Sequence, residues 1–188
     1  MSIGTRVTFA EYERMIADGA FEPSEEHRVE LIHGEIVPMS PKGPPHESIL
    51  RLLNRWSFHN ADLDRIEVGV TSSVGIPALE SEPEPDLVWF KQGDYSRRHP
   101  GPEDVLLIIE VAETSLRKDK TIKAELYAEA GIADYWVVDV VGQVIEVFRD
   151  PDPARKRYRT KSTFTGDDRL SPLCQPEAEL RPGTLWSP

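Results

Sequence analysis

Val105-Leu106-Leu107-Ile108-Ile109-Glu110-Val111-Ala112-Glu113, with the run that follows it to Val140, decides the fold. Five consecutive apolar residues suit a strand covered on both faces, and the run ends abruptly at Glu110. A carboxylate at the end of a buried strand costs free energy unless a cation or a hydrogen-bond donor meets it. After Thr114-Ser115, the stretch Leu116 to Ala130 is rich in helix formers and is stopped by Gly131. Asp119, Lys123 and Tyr127 recur at i, i+4 and i+8 and share one face of that helix. Asp134-Tyr135-Trp136-Val137-Val138-Asp139-Val140 then reads as a second, β-rich strand. Strand, crossover helix and strand together predict a parallel or mixed sheet of the α/β class.

Working outward, Thr8-Phe9-Ala10-Glu11 has the form of a capping box and predicts a helix to about Asp18. Val29 to Ile32 and Glu35 to Val37 flank His33-Gly34, a hairpin signal. Pro41, Pro44 and Pro45 interrupt regular structure. A helical stripe of Ile49, Leu50, Leu52, Leu53 and Trp56 then runs from His46 to about Asn60, with Pro45 in its first turn. Arg65 to Val70 alternates like a strand, which Ser73 to Ile76 continues after a bend. Glu80 to Pro85 reads as an extended loop, Asp86 to Phe90 as a strand, and Gln92 to Glu103 as a polar loop. Gln143 to Phe148 pairs with the strand before it, and Arg157 to Phe164 adds another. From Ser171 the tail is proline-rich.

The 188 residues fit a single domain spanning 1–188, with its core at about 8–165 and a proline-rich C-terminal tail. Cys174 is the only cysteine, so no internal disulfide forms, and no apolar stretch is long enough for a signal peptide or a membrane span. The expected home is the cytoplasm, away from membranes. A formal charge of −11 excludes broad attraction to polyanions, so any contact with nucleic acid must use local positive charge.

Asp86 and Glu110 lie on two predicted strands separated by one loop, which makes them candidate neighbours in the sheet. Two carboxylates brought close repel, and a hard divalent cation such as magnesium relieves that repulsion. Lys123, on the returning helix, is within reach of the same cluster, where an ammonium stabilises charge building on a phosphate. The plainer reading makes Asp86 a turn residue and pairs Lys123 with Asp119 as an i, i+4 ion pair. Glu80, Glu82, Glu84 and Asp86 also alternate, a stripe expected to be a solvated loop. Arg155, Arg157, Arg159 and Lys161 alternate too, and present either a basic face for a phosphate backbone or the charged guard of an edge strand. Arg97-Arg98-His99 is a second local basic group.

Pro85-Asp86, Glu110-Val111, Asp119, Lys123, Tyr127, Gly131, Tyr135-Trp136 and Asp139, in this order, resemble the Uma-two endonuclease family of the PD-(D/E)xK, or restriction-endonuclease-like, superfamily. Glu30 to Val37 and His46 match that family's amino-terminal pattern, and the resemblance spans about Thr8 to Phe148. It implies a restriction-endonuclease-like α/β fold, a mixed central sheet flanked by helices. It implies a magnesium-dependent nuclease, with manganese as a substitute, that hydrolyses phosphodiester bonds, most often of DNA. By that resemblance Asp86 and Glu110 are metal ligands, Lys123 is the catalytic lysine, Glu30 is a further acid of the site, and His46 contacts the water or a phosphate. Two departures stand out. Ala112 replaces the lysine of the simplest motif, which moves the role to Lys123 or, one turn earlier, Lys120. Glu113-Thr114 stands where the family carries serine and proline. The alternative function is a non-catalytic homodimeric binding or assembly module of the same fold.

Overall fold

The structure is a computed structural model that describes residues 6–21 and 28–186. Thr8 caps α1 (Phe9–Ala17): its Oγ1 accepts from the Glu11 N–H while the Glu11 carboxylate accepts from the Thr8 N–H. β1 (Val29–Ile32) and β2 (Glu35–Pro38) form a two-stranded hairpin turned at His33 and Gly34, both at positive φ. α2 (Pro44–Asn60) begins with two prolines, tolerated where the first N–H groups have no helical partner.

The main sheet is built from β3 (Ile66–Val70), β4 (Leu87–Lys91), β5 (Val105–Ala112), β6 (Asp134–Asp139), β7 (Val144–Asp152) and β8 (Arg157–Phe164), in that spatial order. All neighbours are antiparallel except β5 and β6, which run parallel. The parallel pair needs a crossover, supplied by α3 (Leu116–Lys118), a π-helical turn over Asp119–Lys123, and α4 (Ala124–Glu129). The helix expected over Leu116 to Ala130 is therefore present but interrupted by a wider turn. The architecture is the mixed α/β fold expected from the sequence.

β5 is covered on both faces, which is why its sequence is continuously apolar. Leu107, Ile109 and Val111 face α2 with Leu53, Trp89 and Trp136; Ile108 and Ala112 face the crossover with Leu126, Tyr127 and Tyr135. Glu110 shares the second face by alternation. Trp89 donates its indole N–H to Ser57 Oγ at 2.9 Å, so the buried ring leaves no polar atom unmet.

Two segments differ from expectation. Ser73 to Ile76 is not a strand: its N–H groups bond singly to loops, Val74 to Pro83 and Gly75 to Pro100. The alternation reports burial of the Val74 and Ile76 side chains rather than a ladder. The stretch Glu80 to Pro85 is solvated only at Glu80 and, in part, at Glu84. Glu82 bridges Leu31 with two backbone bonds, and Ser81, Glu82 and Pro83 are buried. The proline-rich tail also packs: Leu170 bridges Leu180, while Ala178, Leu180 and Leu185 of α5 (Gly183–Trp186) join the α2 side of the core.

Candidate active site

The register of β4 on β5 pairs Leu87 with Ile109, so one step further Asp86 stands opposite Glu110 at the end of the ladder. Asp86 is fixed from three directions. Its Oδ2 accepts from the Val111 N–H at 2.9 Å and lies 3.0 Å from His46 Nε2, while Oδ1 lies 3.1 Å from Lys42 Nζ. Burial pushes the Asp86 carboxyl up, but the His46 hydrogen bond and charge, Lys42 and the Val111 N–H together outweigh it and hold the group below its ordinary value. Asp86 is thus an ionised carboxylate with a locked orientation.

Glu110 points into the crossover side of the sheet, where Oε1 accepts from Lys123 Nζ at 2.8 Å and from the Tyr127 hydroxyl at 3.1 Å. Lys123 also reaches Glu30 Oε2 at 3.1 Å, and Glu30 Oε1 is met by Lys118 Nζ at 2.5 Å. The π turn serves this convergence. Asp119, Lys123 and Tyr127 are all buried, with Asp119 Oδ2 accepting from Ser115 Oγ at 2.5 Å and the Asp119 carbonyl from the Tyr135 hydroxyl at 3.0 Å. The expected Asp119–Lys123 ion pair gives way to Lys123 bridging Glu110 and Glu30.

Burial raises the Glu110 carboxyl to about 8, with Asp119, Asp86 and Glu30 adding to the rise and Lys123 opposing it. Burial depresses Lys123, but Glu110, Glu30 and Asp119 more than reverse this and hold it charged. One ammonium thus serves several buried carboxylates.

These groups line one cleft of about 40 Å³, room for an ion and a water or two. The donor set is oxygen-rich and acidic, and the burial and acidic neighbours that push the Glu110 carboxyl up are what a divalent cation would offset. His46 Nδ1 is buried without a hydrogen-bond partner, a polar atom left over at the cleft's edge. The arrangement fits a hard divalent cation that takes one or two carboxylates and keeps its remaining waters.

Asp86, Glu110, Lys123, Glu30 and His46 all line this cleft. Lys120 does not: its Nζ lies 2.7 Å from Glu146 Oε1, on the outer side of the crossover. Arg157, Arg159 and Lys161 sit on β8, and Arg155 just before it. Sequence reasoning missed Lys42, which lies four residues before His46, and Lys118, one residue before Asp119; single lysines in such places carry no pattern. Glu113 lines the cleft mouth, and a Cβ at Gly43 would stand 2.6 Å from its Oε2, so the loop before α2 closes on it.

No curated protein sequence matches the chain significantly. Among solved structures, the fold is similar to that of a protein from Anabaena variabilis ATCC 29413 described as "a putative nuclease belonging to DUF820". The likeness has a TM-score of 0.71 at 16% identity and covers 96% of this chain and 97% of that one. The sequence profile of the Uma2 family, described as "Putative restriction endonuclease", matches residues 9–183. With nearly the whole chain matched, the protein belongs to the Uma2 (Uma-two) family.

Proposed function

We propose that this protein is a magnesium-dependent DNA endonuclease, with manganese able to substitute. The observation that carries the reading is the meeting of Asp86 and Glu110 at the end of β4 and β5, with Lys123 Nζ 2.8 Å from Glu110. Asp86 and Glu110 would hold the cation. A cation held there would supply a water of lowered pKa and offset the charge building on the phosphate.

The chain's own groups do the rest. The Val111 N–H and His46 fix the Asp86 carboxylate, so no reorganisation is needed when the substrate arrives. Lys123 presents a permanent positive charge to the phosphate as the attacking oxygen bonds to phosphorus in line with the departing one. The carboxylates of the cleft, Glu30 among them, take the proton lost by the attacking water, and the leaving oxygen is protonated from solvent. His46 stands beside Asp86 to orient a water or a phosphate oxygen. A two-fold homodimer would place two such sites on the two strands of duplex DNA at once. A cytoplasmic setting fits a DNA substrate, and no helix among the described residues is long and apolar enough to cross a membrane.

The test is a calorimetric titration of magnesium or manganese into wild type and Asp86→Ala, with plasmid cleavage followed in parallel. Binding and cleavage in wild type, both lost in the variant, are expected. Cleavage that survives both Asp86→Ala and Glu110→Ala overturns the reading. Cation binding without cleavage of any nucleic acid favours the non-catalytic homodimeric module.

A further inference from the structure

Away from the Asp86–Glu110 cleft, side chains from three separate segments converge on one point that phosphodiester hydrolysis does not use. Glu13 on α1, Glu82 in the segment bridged to β1, and His99 in the loop before β5 each offer one ligand atom, and the three atoms lie within 4.8 Å of one another. It is the one such trio of acidic, histidine or cysteine ligands among the described residues. His99 Nε2 stands 3.5 Å from Glu82 Oε1 and 3.8 Å from Glu13 Oε1. Two ligands about 2.0–2.1 Å from a tetrahedral ion are about 3.4 Å apart, so the observed spacings need to close by only a few tenths of an ångström.

A second observation points the same way. Glu82 is 3% exposed, and its Oε2 is buried with no hydrogen-bond partner. Burial, then the hydrogen bond and charge of the neighbouring Glu13, push this carboxyl up to about 8 against a hydrogen bond from Ser73. A buried carboxyl beside a second carboxylate, with one oxygen unmet, is costly unless something cationic joins it. Glu82 cannot swing away to water. Its backbone is tied to Leu31 by bonds of 2.8 and 3.3 Å.

The frame around the trio is equally fixed. The Gly75 N–H donates to the Pro100 carbonyl at 3.0 Å, which holds the backbone beside His99. A Cβ built on Gly75 would lie 3.4 Å from Phe9 Cζ and 3.5 Å from His99 Cβ, so α1 and the loop both close over this glycine. The convergence is therefore set by backbone placement as well as by the side chains.

We propose that Glu13, Glu82 and His99 form a divalent-cation site of their own, suited to zinc, that clamps α1 and the loop before β5 onto the strand carrying Glu30. An imidazole nitrogen with two carboxylates selects a borderline cation, whereas the Asp86–Glu110 cleft offers carboxylate oxygens and suits a hard one. Water completes the coordination on the exposed side, where Glu13 and His99 lie. The site acts structurally: it ties α1 to the hairpin and leaves the chemistry to the cleft.

Zinc binding is measured by competition with a chromophoric chelator, alongside the melting temperature with and without zinc. The proteins are wild type, Asp86→Ala, Glu82→Gln, Glu13→Ala and His99→Ala. Glu82→Gln preserves shape and removes charge; Glu13 and His99 are exposed, so their variants fold. One zinc is expected to bind wild type and Asp86→Ala alike and to raise the melting temperature of both. In Glu82→Gln, Glu13→Ala and His99→Ala the affinity should fall at least tenfold and the rise should vanish. Failure of wild type to bind zinc overturns the proposal. Zinc binding lost in Asp86→Ala, or unchanged in His99→Ala and Glu82→Gln, overturns it as well.

Discussion

Lys123 Nζ lies 2.8 Å from Glu110 Oε1, two buried groups that the crossover brings together from thirteen residues apart. The ammonium also bridges to Glu30, so its removal leaves two buried carboxylates sharing less positive charge. Breaking one side of a buried ion pair typically costs about 3–5 kcal/mol. Lys123→Met is expected to lose stability of that order in urea denaturation at about pH 9, above the raised Glu110 carboxyl. It should abolish cleavage while manganese still binds, because Asp86 and Glu110 remain. Stability unchanged from wild type would show that the pair is not formed in solution.

The raised carboxyls set the sign of the pH response. Glu110 is pushed up to about 8 by burial and its acidic neighbours, so the metal-free native state holds a proton that the unfolded chain releases near 4.5. Stability then falls as pH rises from about 4.5 to about 8 and levels off above. Glu82, also raised to about 8 by burial and then Glu13, acts in the same direction. Asp86 is depressed below 3.8, so its contribution is complete above that pH and is lost in stronger acid. Urea midpoints without metal should therefore be highest in mildly acidic buffer. Glu110→Gln and Glu82→Gln should each flatten part of the decline. A wild-type midpoint that climbs steadily to pH 8 would refute the assignment.

The crossover and the meeting of Glu110 with Lys123 are legible in the sequence for a physical reason. A run of apolar residues closing on Glu110 reports burial, and helical spacing puts Lys123 on the face that returns over it. The π turn was not legible, since Asp119 to Lys123 carries ordinary helix formers and the wider turn comes from tertiary demand on the Asp119 carbonyl and side chain. Glu82 misled for the opposite reason. Its acidic, proline-rich surroundings look solvated, yet the backbone pairing with Leu31 drags it inside. Lys42 is invisible to periodicity because a loop brings it to Asp86.

The tail from Ser171 depends on one buried carboxylate. Asp134 accepts from Arg149 Nε and the Trp136 indole N–H at 2.8 Å each, and from the Leu173 N–H at 2.8 Å, while Arg149 also donates to the Ser171 carbonyl. Asp134→Ala strands the Arg149 charge and frees the Leu173 N–H, a loss of about 3–5 kcal/mol. Limited proteolysis should then cut the variant after about Ser171, whereas wild type resists. Equal resistance would mean that the apolar contacts of Ala178, Leu180 and Leu185 suffice to hold the segment.

The basic residues of the outer strand divide the two readings open to them. Arg159 lies 3.1 Å from Asp150 and 3.3 Å from Asp152, Arg155 3.4 Å from Asp152, and Lys161 2.6 Å from Glu146. Among the described residues Arg157 alone of the four has no such partner. Cations already faced by carboxylates release few counterions on meeting DNA, whereas each free contact adds about 0.9 to the slope of log affinity against log salt. Arg155→Gln and Arg159→Gln should leave that slope nearly unchanged, and Arg157→Gln should lower it by one contact at most. β8 ends the sheet with unpaired backbone groups on its outer side, the setting in which charge prevents edge-to-edge pairing. A combined Arg157→Thr, Arg159→Thr, Lys161→Thr variant is therefore expected to keep cleavage and to aggregate in light scattering at concentrations where wild type stays dispersed. Loss of cleavage in a variant that remains dispersed would instead make this strand part of the nucleic-acid interface.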